Sequence, residues 1–176
     1  MRYANHVKTN KLFKFPDPVN EVSARTVAAG VVILCLIAII SGQAWMTLIV
    51  AYGFVARVAT GPTLSPLGQF VTRVVTPRLG FAPKPVPGPP KRFAQGVGAV
   101  LSVSAAILAI GFGQQGAADL LLAAIVVAAL LESALGFCLG CTIFGWLMRI
   151  GIIPASVCEA CNNLRFDTAV DGGSRS

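Results

Sequence analysis

Residues 117–141 read AADLLLAAIVVAALLESALGFCLGC. After Asp119 the run is apolar for about 20 residues, which is the length that an α-helix needs to cross the hydrocarbon core of a bilayer. One acid, Glu132, lies inside it, and a pair of cysteines, Cys138 and Cys141, closes it. The stretch therefore predicts a membrane-spanning helix that brings two thiols to the membrane surface.

The composition of the whole chain is that of a membrane protein. Of its 176 residues, 55% are hydrophobic and 12% are charged, and the mean hydropathy is +0.75. A soluble domain has about 25% charged residues, so this chain could not cover itself in water. The net charge of +7 comes from residues that flank the apolar runs, without the interleaved aromatic side chains that stack on bases. This pattern indicates membrane topology and argues against nucleic-acid binding.

We predict an all-α integral membrane bundle of four transmembrane helices arranged as two hairpins. The predicted spans cover residues 26–41, 44–59, 93–111 and 117–139. Residues 64–76 and 142–153 are predicted to form two short helices in the membrane interface. The proline-rich stretch 83–90, PKPVPGPP, is predicted to be an extended linker and not a helix.

A single membrane domain is expected over residues 24–164, between a cytoplasmic arm (1–23) and a flexible tail (165–176). Five Lys and Arg residues lie in the first 25 positions and six lie between Arg57 and Arg92, whereas the turns 41–43 and 113–116 contain none. Basic residues are retained in the cytoplasm. We therefore predict a multi-pass protein of the cell (inner) membrane with both termini cytoplasmic.

The two predicted hairpins resemble each other. Arg25 opens the first and Arg92 opens the second, and PLGQF (66–70) follows the first where CLGCT (138–142) follows the second. Both units start on the same side, so an internal repeat would have its axis along the membrane normal. The cysteines would then be a site that only the second copy carries.

Four cysteines form two Cys-x-x-Cys pairs, Cys138/Cys141 and Cys158/Cys161, separated by 16 residues. This separation fits a four-thiolate zinc site. The same pairs are typical of redox or sulfur-transfer dithiols, in which a depressed pKa makes one sulfur nucleophilic. A third interpretation is that they are inert small residues. Cys138 and Cys141 are predicted to share one helix face, where Gly136 and Gly140 leave the sulfurs accessible.

Glu132 is the ionisable residue inside the last predicted span. A carboxylate there costs about 2.5–3.5 kcal/mol, so it should be paired, protonated or directed into a polar cavity. We predict that it points away from Cys141 and hydrogen-bonds Ser102 or Ser104 across the bundle. A more specific hypothesis is a proton or solute path past Glu132.

The run GFCLGC (136–141), with MRIGIIP (148–154) and VCEACNN (157–163) after it, resembles a bacterial family of polytopic membrane proteins, domain of unknown function family 4395. The resemblance extends over about residues 18–164. It implies a multi-pass membrane protein and an association with thioredoxin-like and sulfurtransferase proteins. It supplies no established activity and assigns no residue a role.

The expected function is thiol redox or sulfur handling at the membrane, by Cys138/Cys141 with Cys158/Cys161 as partner pair. One alternative is a non-enzymatic membrane protein whose four cysteines hold a structural zinc ion. A second is a transporter of small solutes or sulfur oxyanions. The expected partners are the lipid bilayer and a cytoplasmic thioredoxin-like or sulfurtransferase protein, and a homodimer is compatible with so few spans.

Overall fold

The computed structural model describes residues 18–80, 82 and 84–154. Within this part the α-helices are Glu21–Ser41 (α1), Met46–Thr60 (α2), Pro66–Phe70 (α3), Thr76–Leu79 (α4), Gly88–Ala106 (α5), Gln115–Leu135 (α6) and Leu139–Arg149 (α7). Two π-helical segments, Val71–Val75 and Ile107–Gly111, join α3 to α4 and extend α5. The strands Val19–Asn20 (β1) and Pro85–Val86 (β2) pair antiparallel. The prediction of a mainly helical fold is confirmed.

Three helical stretches are long and apolar enough to cross a membrane: α1, Gly88–Gly111 and α6. Within an apolar stretch of 18 residues in each, only about a third of the residues are buried inside the protein, 33%, 28% and 28% respectively. Large apolar side chains therefore face outward, such as Ile40 and Leu120, which are 82% and 74% exposed. An apolar surface of this extent is what a bilayer would cover.

Helix α2 corresponds to the predicted span 44–59 but has only 15 residues. At 1.5 Å per residue it is about 22 Å long, whereas the hydrocarbon core is about 30 Å thick. By length, three of the four predicted helices can cross the bilayer. Whether α2 forms the predicted fourth crossing depends on its position relative to the bilayer.

Each long helix of the first half of the chain packs mainly against a helix of the second half. Helix α1 packs mainly against α6, and α2 packs mainly against α5. The core between them is built from small and branched side chains, with Leu122 and Cys35 fully buried. Where α2 meets α5, Gly98 provides the space that the Phe54 ring occupies, since a Cβ there would lie 2.2 Å from its Cε1. Gly98 therefore lies on the face of α5 that packs against α2.

Three predicted helix ends were wrong. The first span was predicted from residue 26, but α1 begins at Glu21. The third span was predicted from residue 93, but α5 begins at Gly88 with prolines in its first turn. Proline is tolerated there because first-turn N–H groups have no partner within the helix. The fourth span was predicted to reach residue 139, but α6 ends at Leu135 because Gly136 adopts a left-handed conformation, with φ of 69°.

The segment before α1 belongs to the fold from residue 18 onward, which corrects the prediction of an arm through residue 23. Strand β1 pairs with β2, and Asn20 Oδ1 caps α1 by accepting from the Val22 N–H at 3.1 Å. The same oxygen accepts from the Lys84 N–H at 3.3 Å. The chain entering α1 is thereby tied to the chain entering α5. Residues 1–17 and the predicted tail lie outside the described residues.

Helices are present at the two positions where interfacial helices were predicted, with shifted ends. The first covers residues 66–79 as α3, a π-helical segment and α4, against 64–76 predicted. The second is α7, Leu139–Arg149, against 142–153 predicted. Both begin with a side-chain cap: Ser65 Oγ accepts from the Gly68 N–H at 3.2 Å, and Cys138 Sγ accepts from the Cys141 N–H at 3.3 Å.

Candidate functional site

A sharp bend between α6 and α7 positions the first cysteine. The Gly136 N–H donates to the Glu132 carbonyl at 3.0 Å and the Phe137 N–H donates to the Leu131 carbonyl at 3.1 Å. These two hydrogen bonds, together with a glycine in the left-handed conformation, form a common helix C-terminal motif. The backbone then extends through Cys138, with φ of −87° and ψ of 105°, and α7 starts.

Cys138 is the N-cap residue of α7, and Cys141 lies in the first turn. The predicted single helix through both cysteines is therefore wrong, although their sulfurs do lie together. The Cys141 side chain hydrogen-bonds Cys138, which is the main reason that the pKa of the Cys138 thiol is lowered. The same bond, together with burial, raises the pKa of the Cys141 thiol. One sulfur thus favours the thiolate and its neighbour favours the thiol.

The dithiol, Cys138 and Cys141, lies beside a buried ion pair. Lys91 Nζ is 2.5 Å from Glu132 Oε1, and the two side chains are 10% and 15% exposed. The positive charge of Lys91 lowers the pKa of both thiols and the negative charge of Glu132 raises it. The two charges therefore act on the cysteines in opposite directions.

A cavity of about 470 Å³ gives access to the dithiol, and we call it the thiol cavity. Its walls include Cys138, Cys141, Lys91, Glu21 and Phe144. Cys138 is 8% exposed and Cys141 is half-buried, so the prediction of freely accessible sulfurs needs correction. The thiol cavity is a route by which a reactant can reach Cys138.

The predicted partners of Glu132 were wrong. Ser102 donates to the Ala99 carbonyl of its own helix at 3.2 Å, and Glu132 accepts from Lys91. The sequence did not identify Lys91 as the partner of Glu132, because the prolines that precede Lys91 predict a linker and not the start of a helix. The requirement that an intramembrane acid be paired was correct, and it favours a basic residue such as Lys91 near the start of the preceding helix, α5.

Cys158 and Cys161 lie outside the described residues. Within residues 18–80, 82 and 84–154, no group of three or more His, Cys, Asp and Glu side chains is arranged to hold a metal ion. Cys138 and Cys141 can supply two of the four thiolates of the predicted zinc site. That site stays a prediction.

Helix α7 is held against α5 by a close backbone approach at Gly140. A Cβ on Gly140 would lie 2.5 Å from Ala94 Cβ and 2.6 Å from Ala94 Cα, so the backbones would have to separate. Overpacking of this kind costs about 1–3 kcal/mol. We expect Gly140→Ala to lower the thermal unfolding temperature in detergent and to speed alkylation of Cys138.

Gly145→Ala is the matched control in the same helix, because a Cβ there meets nothing within 4 Å. It should leave the unfolding temperature unchanged or raise it slightly, since alanine favours helix over glycine. Equal behaviour of the two variants would show that the α5–α7 approach does not constrain the site.

Comparison with known proteins identifies a family. The family model described as Domain of unknown function (DUF4395) matches residues 19–149. The matched range runs from β1 to the last residue of α7 and includes Lys91, Glu132 and the dithiol. No curated protein and no solved structure matches the chain. The chain belongs to the DUF4395 family.

Proposed function

We propose that the protein is a dithiol oxidoreductase or sulfur carrier of the membrane, with Cys138 as nucleophile and Cys141 as resolving thiol. The observation that supports this most directly is the asymmetry of the pair. Cys138 caps a helix N-terminus, accepts hydrogen bonds and has a lowered pKa, whereas the pKa of Cys141 is raised. Reactive cysteines are typically found at helix N-termini and beside cationic groups, as Cys138 is beside Lys91.

The reaction follows from these roles. The Cys138 thiolate attacks one sulfur of a substrate disulfide, and the other substrate sulfur leaves as a thiolate. Cys141 then gives up its proton and attacks the Cys138 sulfur, which releases the second substrate thiolate. Two electrons pass to the substrate, and the product is a Cys138–Cys141 disulfide. With a sulfane sulfur donor, the Cys138 thiolate instead attacks the terminal sulfane sulfur, the bond between that sulfur and the donor breaks, and the donor leaves as a thiolate. Cys138 then carries a persulfide.

We place the dithiol at the cytoplasmic face of the cell membrane. The bundle end at which α1 begins, α2 ends, α5 begins and α6 ends is here called the basic end. Lys and Arg residues from the described helices gather there, and among the described residues 41–46 and 111–119 the opposite turns have none. This asymmetry supports cytoplasmic termini. The short α2 would make the fourth crossing with the turns at its two ends.

The partners proposed for the dithiol are Cys158/Cys161 of the same chain and a cytoplasmic thioredoxin-like or sulfurtransferase protein. In the zinc alternative, all four thiolates would instead hold one metal ion. The two functions differ in a measurable way, because zinc-bound thiolates are not free to form a reversible disulfide.

The decisive experiment is a pH profile of alkylation on protein purified without chelator. We expect Cys138 to react with iodoacetamide at lower pH than an ordinary thiol, whose pKa is about 8.5. Its thiolate fraction reaches a plateau once the pH exceeds its lowered pKa. Cys141→Ala should shift this profile to higher pH, because the hydrogen bond from Cys141 is the main cause of the lowered pKa.

Cys35→Ala is the matched control, since Cys35 is fully buried in the core away from the thiol cavity. It should leave the profile unchanged. The proposal also requires the pair to form a disulfide that dithiothreitol reverses, detected as a mass loss on Cys138 and Cys141. Stoichiometric zinc with no alkylatable thiols would contradict the redox proposal and support the zinc site.

A further inference from the structure

A second cationic group, Arg57, is buried at the basic end and takes no part in the thiol chemistry. It lies in the last turn of α2 and is 5% exposed. Its Nε donates to Gln95 Oε1 at 2.9 Å, and its guanidinium carbon lies 4.5 Å from the centre of the Phe54 ring. Among the described residues, no carboxylate lies within ion-pair distance of Arg57.

The two terminal nitrogens of Arg57 have no hydrogen-bond partner within the described part of the chain. They are not sealed in apolar packing, because no fully buried side-chain nitrogen or oxygen there lacks a partner. They reach open space instead, and Arg57 lines two cavities. One of them, of about 200 Å³, is here called the arginine cavity.

The arginine cavity is lined mostly by apolar surface, and the polar side chains on its walls include two cations and no acid. Arg57, Lys91 and Gln95 contribute to it, together with Ser23 and Thr72. The two cationic side chains come from α2 and α5 and are both buried. At about 30 Å³ for each water molecule, the space holds roughly six waters, or a small anion with a few waters.

The charges around the arginine cavity do not balance. Glu132 is paired with Lys91 and lies beyond ion-pair distance of Arg57, so the charge of Arg57 has no ion-pair partner among the described side chains. Burying an ion without a counter-ion is unfavourable, and a guanidinium offers parallel N–H groups that match the oxygens of phosphate and carboxylate. The buried site therefore lacks one negative charge, and it has donors positioned to bind one.

We propose that the arginine cavity binds a small tetrahedral oxyanion, sulfate-like or phosphate-like, held by the guanidinium of Arg57 with Lys91 as second cation. The oxyanion can be a free ion or the phosphate of an anionic lipid. The lipid source is considered because Arg57 also lines an apolar groove of about 660 Å³ between α1, α2 and α3. The site does not use the thiols, so it stands independently of the redox proposal.

The test uses the full chain in a non-ionic detergent. Sodium sulfate is titrated by calorimetry in a chloride buffer at constant ionic strength. We expect saturable binding that Arg57→Gln weakens at least tenfold and that Arg57→Lys weakens less, because lysine keeps the charge but not the paired N–H groups. Arg73→Gln, which removes an exposed arginine of the same end, should bind as the unmodified protein does.

A second measurement needs no variant. p-Hydroxyphenylglyoxal modifies arginine side chains, and mass spectrometry reports the rate at Arg57. Sulfate should slow the modification several-fold and chloride should not. Protection in phosphatidylglycerol nanodiscs without sulfate, but not in phosphatidylcholine nanodiscs, assigns the site to a lipid phosphate. Protection by sulfate alone assigns it to the free ion.

The proposal is overturned if sulfate shows no saturable binding and neither sulfate nor phosphatidylglycerol protects Arg57. It is also overturned if Arg57→Gln folds and binds sulfate with unchanged affinity.

Discussion

Replacing Glu132 with glutamine should lower the free energy of unfolding by about 3–5 kcal/mol, because it removes one partner of a buried ion pair and leaves the other charged. Lys91 and Glu132 are both largely buried, so water cannot screen the remaining ammonium. Arg57 is also influenced by the charge of Glu132. Two buried cations that line the same cavity would then remain without this acid.

The companion variant Lys91→Met separates stability from thiol chemistry. Both variants should unfold at lower temperature in detergent, since each breaks the same pair. Their effects on Cys138 should be opposite. Glu132→Gln removes a charge that raises the pKa of the thiol, so the alkylation profile shifts to lower pH. Lys91→Met removes a charge that lowers that pKa, so the profile shifts to higher pH.

The double variant Lys91→Met/Glu132→Gln completes the thermodynamic cycle. Because neither charge remains, it should be more stable than the sum of the two single losses predicts. Glu21→Gln is the matched control, an acid on the wall of the thiol cavity that makes no ion pair among the described residues. Additive losses in the cycle, or shifts of the two profiles in the same direction, would contradict this account of the pair.

The membrane character of the fold could be predicted because it depends on the length of apolar runs, which a single sequence contains in full. Helix ends were less predictable, since Pro and Gly each have two structural roles. Pro89 and Pro90 were interpreted as helix breakers, yet they occupy the first turn of α5. Gly136 was interpreted as a missing side chain, yet its left-handed backbone is what ends α6.

The site was only partly predictable for a related reason. Spacing alone identified Cys138 and Cys141, but their different pKa shifts depend mainly on the hydrogen bond between the two side chains. The bend at Gly136 and the start of α7 at Cys138 determine where those side chains lie. The pairing of Lys91 with Glu132 joins residues 41 positions apart on different helices. The hydrophobic pattern indicates that Glu132 needs a partner, but it does not identify which basic residue that partner is.

The bend that sets up the dithiol depends on a residue of the first helix. Arg25 of α1 donates from Nε and Nη2 to the Ser133 carbonyl, at 3.2 and 3.1 Å, and from Nη2 to the Ala134 carbonyl at 2.8 Å. These carbonyls belong to the last turn of α6, which has no following turn to bond them. A cation there also interacts favourably with the helix dipole.

Arg25→Ala should therefore cost about 2–3 kcal/mol in the free energy of unfolding, as expected for charge-assisted hydrogen bonds to otherwise unpaired carbonyls. Amide hydrogen exchange should be faster at Gly136 and Phe137, whose N–H groups close the end of α6. Thermal unfolding in detergent and exchange followed by mass spectrometry measure the two effects.

Two further variants test whether Arg25 acts through this geometry. Arg25→Lys keeps the charge but loses the forked donor, so it should recover only part of the stability and of the protection from exchange. Arg149→Ala removes an exposed arginine at the end of α7 and should change stability by less than about 0.5 kcal/mol. If Arg25→Ala leaves exchange at Gly136 unchanged, the bend is held by α6 and α7 alone. The contact with α1 would then matter only for packing.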